Sequence, residues 1–156
     1  MPERDSPENE KAVTGRRSSD ARPVADYMTR KVFTLRNDKK VIAAKDIMEW
    51  AHVRHVPVVN VKGEVVGMLS HRDLLAVSMS SIGSRITDLD RKQHLWSVPL
   101  QTVMRAPVTT IGPEASVQQA ASIMRSRKIG CLPVVEGGKL VGILTDHDLL
   151  RVVEES

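Results

Sequence analysis

Two stretches decide the fold when set side by side. The first is Arg54-His55-Val56-Pro57-Val58-Val59, leading on to Gly67-Met68-Leu69-Ser70-His71-Arg72-Asp73-Leu74. The second is Gly130-Cys131-Leu132-Pro133-Val134-Val135, leading on to Gly142-Ile143-Leu144-Thr145-Asp146-His147-Asp148-Leu149. The likeness extends outward from both. A shift of 76 lays Pro23 on Pro99, Met28 on Met104, Val41 on Val117, Met48 on Met124 and Pro57 on Pro133. After one deletion in the second turn, a shift of 75 lays Gly67 on Gly142, Leu69 on Leu144 and Asp73 on Asp148. The matches keep one order with one gap, and there are only two copies. That is a tandem duplication and not a solenoid.

Each unit reads as β-α-β-β-α, an α/β (α+β) arrangement. A short extended piece opens it, Val32 to Leu35 and Val108 to Ile111. A helix follows, with apolar residues at helical spacing: Val41, Ala44, Ile47, Met48 and Ala51, then Val117, Ala120, Ala121 and Met124. Ser116 followed by Gln119 predicts a capping box at the second of these helices. Two β-rich runs come next, joined at Lys62-Gly63 and at Gly137-Gly138, which predicts hairpins. A closing helix starts near Ser70 or Thr145. A unit of roughly 50 residues is too small to be comfortably stable alone, so the two are expected to pack together as a pseudo-two-fold pair.

The chain has 156 residues and a formal charge of +4. Residues 1–22 hold five bases and five acids with few large apolar side chains, and are expected to be a disordered tail. Residues 23–77 make the first unit, 78–97 the linker and 98–154 the second unit. Ser78, Ser80, Ser81, Gly83 and Ser84 make the start of the linker loose. A single cysteine, Cys131, excludes an internal disulfide and a cysteine-built zinc site. The N-terminus lacks an apolar signal core and no apolar run reaches membrane-helix length, so a cytoplasmic location is expected. Aromatic residues are 3% of the chain, few for stacking bases.

The paired signatures resemble tandem cystathionine β-synthase (CBS) domains, the regulatory pair called a Bateman module. The resemblance covers about residues 23–152, nearly all of the chain outside the tail. It implies a regulatory sensor of adenosine-containing ligands, AMP, ADP, ATP or S-adenosylmethionine, bound in clefts between the repeats and signalling to a separate protein target. A homodimer is implied as well. An adenine nucleotide would be the regulatory ligand, with no catalytic cofactor.

Carried over residue by residue, one cleft combines Thr110, Ala115, Ile129, Gly130 and Cys131 with Ser70, Arg72 and Asp73, while Arg54 and His55 lend charge. The other combines Thr34, Lys39 and Val53, beside Arg54, with Thr145, His147 and Asp148. Ser or Thr at a helix start lies where unpaired N–H groups favour an anion, and Asp one turn on can accept from a ribose diol. The same Ser/Thr-x-x-Asp pattern also fits a helix cap. Ala115 and Gly130 leave the first cleft the more open.

Other chemistries find less support. The histidines His52, His55, His71, His94 and His147 lack the companions of a metal site, and none is expected. Cys131 has no base beside it in sequence. No nucleophile, base and orienting group converge, so the chain is not expected to be an enzyme. The alternatives are nucleic-acid binding, which rests on the net basic charge, and a ligand-free scaffold.

Overall fold

The computed structural model describes residues 21–79 and 88–156, with the side chains of 88–92 excepted. Most of the expected tail, and Ser80, Ser81, Gly83 and Ser84 of the linker, lie outside these residues. The first repeat contains β1 (Leu35–Arg36), α1 (Val41–Ala51), β2 (His55–Val59), β3 (Val65–Ser70) and α2 (His71–Met79). Helix α3 (Asp88–Ser97) precedes the second repeat, which contains α4 (Val117–Arg127), β4 (Cys131–Glu136), β5 (Lys139–Thr145) and α5 (Asp146–Glu154). The second opening extended piece is reduced to a single parallel bridge from Ile111 to Val134.

Local chemistry accounts for the elements. Helix α1 buries Val41, Ala44 and Met48, and α4 buries their counterparts Val117, Ala120 and Met124. Ser116 caps α4 by accepting from the Gln119 N–H at 3.1 Å. Both helices end on a non-glycine residue in the left-handed region, His52 and Lys128, each at φ 54°. These two positions also correspond in the repeat. The hairpins β2–β3 and β4–β5 are antiparallel, with Pro57 opposite Met68 and Pro133 opposite Ile143. Gly137 and Gly138 turn the second hairpin at φ 56° and 78°, values that a side chain disfavours.

The linker carries an element that the sequence reading left undescribed. Its second half is helix α3, which packs on α1 and sinks Leu95 into the first core. At the end of the expected tail, Arg22 is bonded to the second repeat. The Arg22 guanidinium donates to the Val152 carbonyl at 2.8 Å, and the Arg22 carbonyl accepts from the Val117 N–H at 2.9 Å.

The packing units are crossed relative to the sequence units. The segment that leads into the first repeat, Val24 to Met28, belongs to the core of the second, beside Ile111, Val117, Leu132 and Leu144. The segment that leads into the second repeat supplies Leu100, Val103 and Met104 to the first core, beside Val41, Val56 and Leu69. Equivalent hydrogen bonds fix both crossings. Leu100 N–H donates to the Lys39 carbonyl at 3.0 Å, and Val24 N–H to the Ala115 carbonyl at 2.8 Å. Met68 pairs with Arg105, and Ile143 with Thr29. Gly67 and Gly142 make room for this. A Cβ at Gly142 would meet the Met28 sulfur at 2.6 Å and the Thr29 carbonyl at 3.1 Å, and one at Gly67 would overlap the Met104 thioether. Val24 and Leu100 are fully buried, worth about 1.5–3 kcal/mol each. Each core is therefore closed by the other repeat's leading segment. Among the described residues, no helix is long and apolar enough to cross a membrane.

Candidate functional site

A cavity of about 580 Å³ opens where the two repeats meet. That is the size range of small-ligand sites. The first repeat contributes Arg54 and His55 from the entry to β2, then Ser70, His71, Arg72 and Asp73 from the start of α2. The second contributes Lys128, Ile129, Gly130 and Cys131 ahead of and into β4, and Asp146 at the start of α5. The crossing segment adds Arg105, Pro107, Val108 and Thr109.

The start of α2 is tied tightly. Ser70 N–H and hydroxyl both donate to Asp73 Oδ2, at 3.0 and 2.8 Å, and Asp73 N–H donates back to the Ser70 hydroxyl at 3.2 Å. The His71 N–H is taken by the Arg54 carbonyl at 2.7 Å. Thr145 and Asp148 form the same capping box at α5, and Asp146 N–H donates to the Gly130 carbonyl. Both Asp residues thus close the helix starts as caps. Asp73 has a further partner, the Arg105 Nε, which donates to its Oδ1 at 3.0 Å.

The electrostatics follow from these contacts. Burial raises the Asp73 pKa, but the Ser70 bonds and the Arg105 guanidinium outweigh it and hold the carboxyl below its ordinary value. Burial lowers the pKa of His55 more than Asp146 and Asp73 raise it. Its burial thus disfavours the charged imidazolium. Burial first, then Asp148 and Asp146, push the Cys131 thiol up to about 12, so it is no thiolate nucleophile. The basic side chains facing the cavity are Arg54, Arg72, Arg105 and Lys128, against the carboxylates Asp73 and Asp146. Among the described residues, no three histidine, cysteine or carboxylate side chains gather as metal ligands.

The structure brings together Ser70, Arg72, Asp73, Arg54, His55, Ile129, Gly130 and Cys131. Thr110 and Ala115 do not line the cavity. Thr109 does, since neighbouring residues of an extended chain point to opposite sides. Ala115 packs on the second core and offers its carbonyl to Val24. Thr34, Lys39, Val53, Thr145, His147 and Asp148 of the second grouping do not line this cavity. Thr34 lines a separate hollow of about 230 Å³ with Arg30, Val32, Leu140 and Val141. The Lys39 carbonyl anchors the crossing segment, and Val53 packs on the first core. Thr145 and Asp148 cap α5, and exposed His147 donates its N–H to Asp146 Oδ1. Arg105 was not foreseen. The signal was its repeat partner, Thr29, a mismatch directly after the matched Met28 and Met104.

This chain belongs to the CBS domain family, whose model matches residues 24–80 and 100–155. It is similar to a protein described as an acetoin utilization protein from Vibrio cholerae, with 38% identity over 85% of this chain and 90% of that one, and a TM-score of 0.69. It is also similar to the inosine-5′-monophosphate dehydrogenase of Staphylococcus haemolyticus, 32% identical over 78% of this chain and 22% of the enzyme. The chain spans about a quarter to a third of the length of the first curated relatives it matches. The relatives named as enzymes are thus much longer proteins. Two structures share the fold at lower identity. A CBS domain pair in complex with 5′-methylthioadenosine and S-adenosyl-L-methionine has 21% identity and a TM-score of 0.71, covering 85% of this chain and 96% of that one. CBSX2 in complex with AMP has 23% identity and a TM-score of 0.71, covering 86% and 97%.

Proposed function

We propose that this chain is a regulatory module that binds an adenosine-containing ligand in the Ser70/Asp73 cavity and signals to a separate protein. The carrying observation is the cavity itself, whose walls come from both repeats, so an occupant contacts both at once. The adenosine compounds bound by two proteins of the same fold support that ligand class. AMP, ADP, ATP and S-adenosylmethionine are the ligands to test. In this reading the start of α2 meets the sugar and phosphate, and the base lies near Ile129 and Gly130. Occupancy biases the relative arrangement of the repeats through a difference in affinity between two arrangements. The chain performs no catalysis, works in the cytoplasm and assembles as a homodimer in the same reading.

Asp73 lines the cavity and Asp148 does not, so the two carboxylates should differ. Calorimetry with adenine nucleotides on folded Asp73→Ala should show affinity reduced about tenfold, the scale of one hydrogen-bonded charged contact. Asp148→Ala should bind like wild type. Undiminished binding in Asp73→Ala would overturn the site assignment. A ligand-free scaffold is the second reading, favoured by the capping role of both Asp residues. It requires that no nucleotide bind at all.

A further inference from the structure

We infer that this cavity selects nucleoside phosphates over uncharged or cationic adenosine derivatives, and that Arg105 makes the selection by leaving Asp73 for the phosphate. The inference rests on the proposed adenosine-binding role of the cavity and adds the chemistry of the ligand's tail.

The Asp73 carboxylate is divided between two tasks. Its Oδ2 accepts both Ser70 donors, and its Oδ1 accepts from Arg105 at 3.0 Å. A ribose diol approaching Asp73 therefore competes with Arg105. The Arg105 side chain is 68% exposed and that of Asp73 is 11% exposed, so water screens the pair and the guanidinium leaves at low cost. Its backbone stays fixed, because Arg105 N–H and carbonyl are both bonded to Met68 at 2.9 and 3.0 Å. Only the side chain has to swing.

What decides the ligand is where that cation goes next. The cavity already holds Arg54, Arg72 and Lys128, and among the described residues no carboxylate is paired with any of them. A neutral nucleoside would take Asp73 and leave a fourth unpaired cation facing the same space. A sulfonium ligand would add one more. A phosphate instead gives the planar, displaced guanidinium a bidentate partner, and the remaining cations share the charge. Thr29 stands at the matching place in the other crossing segment, so no cation occupies that position there.

The test is calorimetry on the full chain with four probes: adenosine, 5′-methylthioadenosine, AMP and ATP. Wild type should bind the two phosphates at least about tenfold more tightly than the two neutral compounds, as one charge-assisted contact implies. Arg105→Ala should affect the two groups differently. Phosphate affinity falls about tenfold, and neutral-nucleoside affinity holds or rises because Asp73 is released. Arg105→Lys should restore part of the phosphate preference. A circular-dichroism melt confirms that each variant is folded. Equal affinity for AMP and 5′-methylthioadenosine in wild type, or an equal loss of both in Arg105→Ala, would overturn the selection and leave adenosine binding intact. Absence of binding by all four probes would overturn the ligand-binding reading, and this inference with it.

Discussion

The starts of α2 and α5 are built on one plan and surrounded differently. At each, a hydroxyl residue and an Asp close a capping box, and the first helical N–H is taken by a carbonyl ahead of the neighbouring strand. The surroundings then part. Arg105, Thr109, Gly130 and Cys131 stand near the first, where Thr29, Phe33, Arg54 and His55 hold the equivalent positions of the other copy. Phe33 is packed edge-on to Trp50 at 5.5 Å. The repeat-equivalent pairs differ in bulk, Gly130 and Cys131 against Arg54 and His55, and all four line the one cavity. Duplication thus preserved the backbone caps, which hold the fold, and let the cavity walls diverge.

Making the two sides alike is the strongest way to break this comparison. Gly130→Arg places a second copy of Arg54 in the cavity wall, and a Cβ there already stands 3.1 Å from Asp146 Oδ2. Nucleotide affinity measured by calorimetry should fall well beyond tenfold while the thermal transition is kept. Retained affinity would mean that Gly130 does not set the opening.

A smaller effect tests the crossings. Gly142→Ala meets backbone at Thr29 as well as Met28, whereas Gly67→Ala meets only the Met104 side chain. Chemical denaturation should show losses of about 1–3 kcal/mol, larger for Gly142. The reverse order would place the tighter crossing in the first repeat.

The smallest effect is in acid. The folded pKa of Asp73 is depressed, so its contribution is complete above the ordinary carboxylate value near pH 4 and is lost as pH falls through the folded value. Wild type should therefore lose more stability than Asp73→Asn between about pH 5 and pH 2. Parallel melting curves across that window would remove Asp73 from the acid-sensitive groups.

Much of this was legible in the chain. Repeat matches fall on buried positions such as Val41 and Val117, and the apolar spacing begins at the first residues of α1 and α4. Helix α3 escaped because Asp88-Leu89-Asp90-Arg91-Lys92-Gln93 is dominated by polar residues, leaving Leu95 as its anchor. The crossings escaped for a different reason. Periodicity shows that a segment has an apolar face but not which core receives it. For the same reason Ala115 and Lys39 read as cavity residues, although their carbonyls anchor the crossing chains. Arg105 lies on one of those segments and became visible only when its neighbour across the bridge, Met68, was known.

The exchange of leading segments bears on ancestry as well as stability. A product carrying a single copy would have no leading segment in place to complete its own interior, and an identical molecule could supply one by mutual exchange. Joining two such molecules end to end turns that bond between strangers into a covalent partnership, already folded around the same handshake.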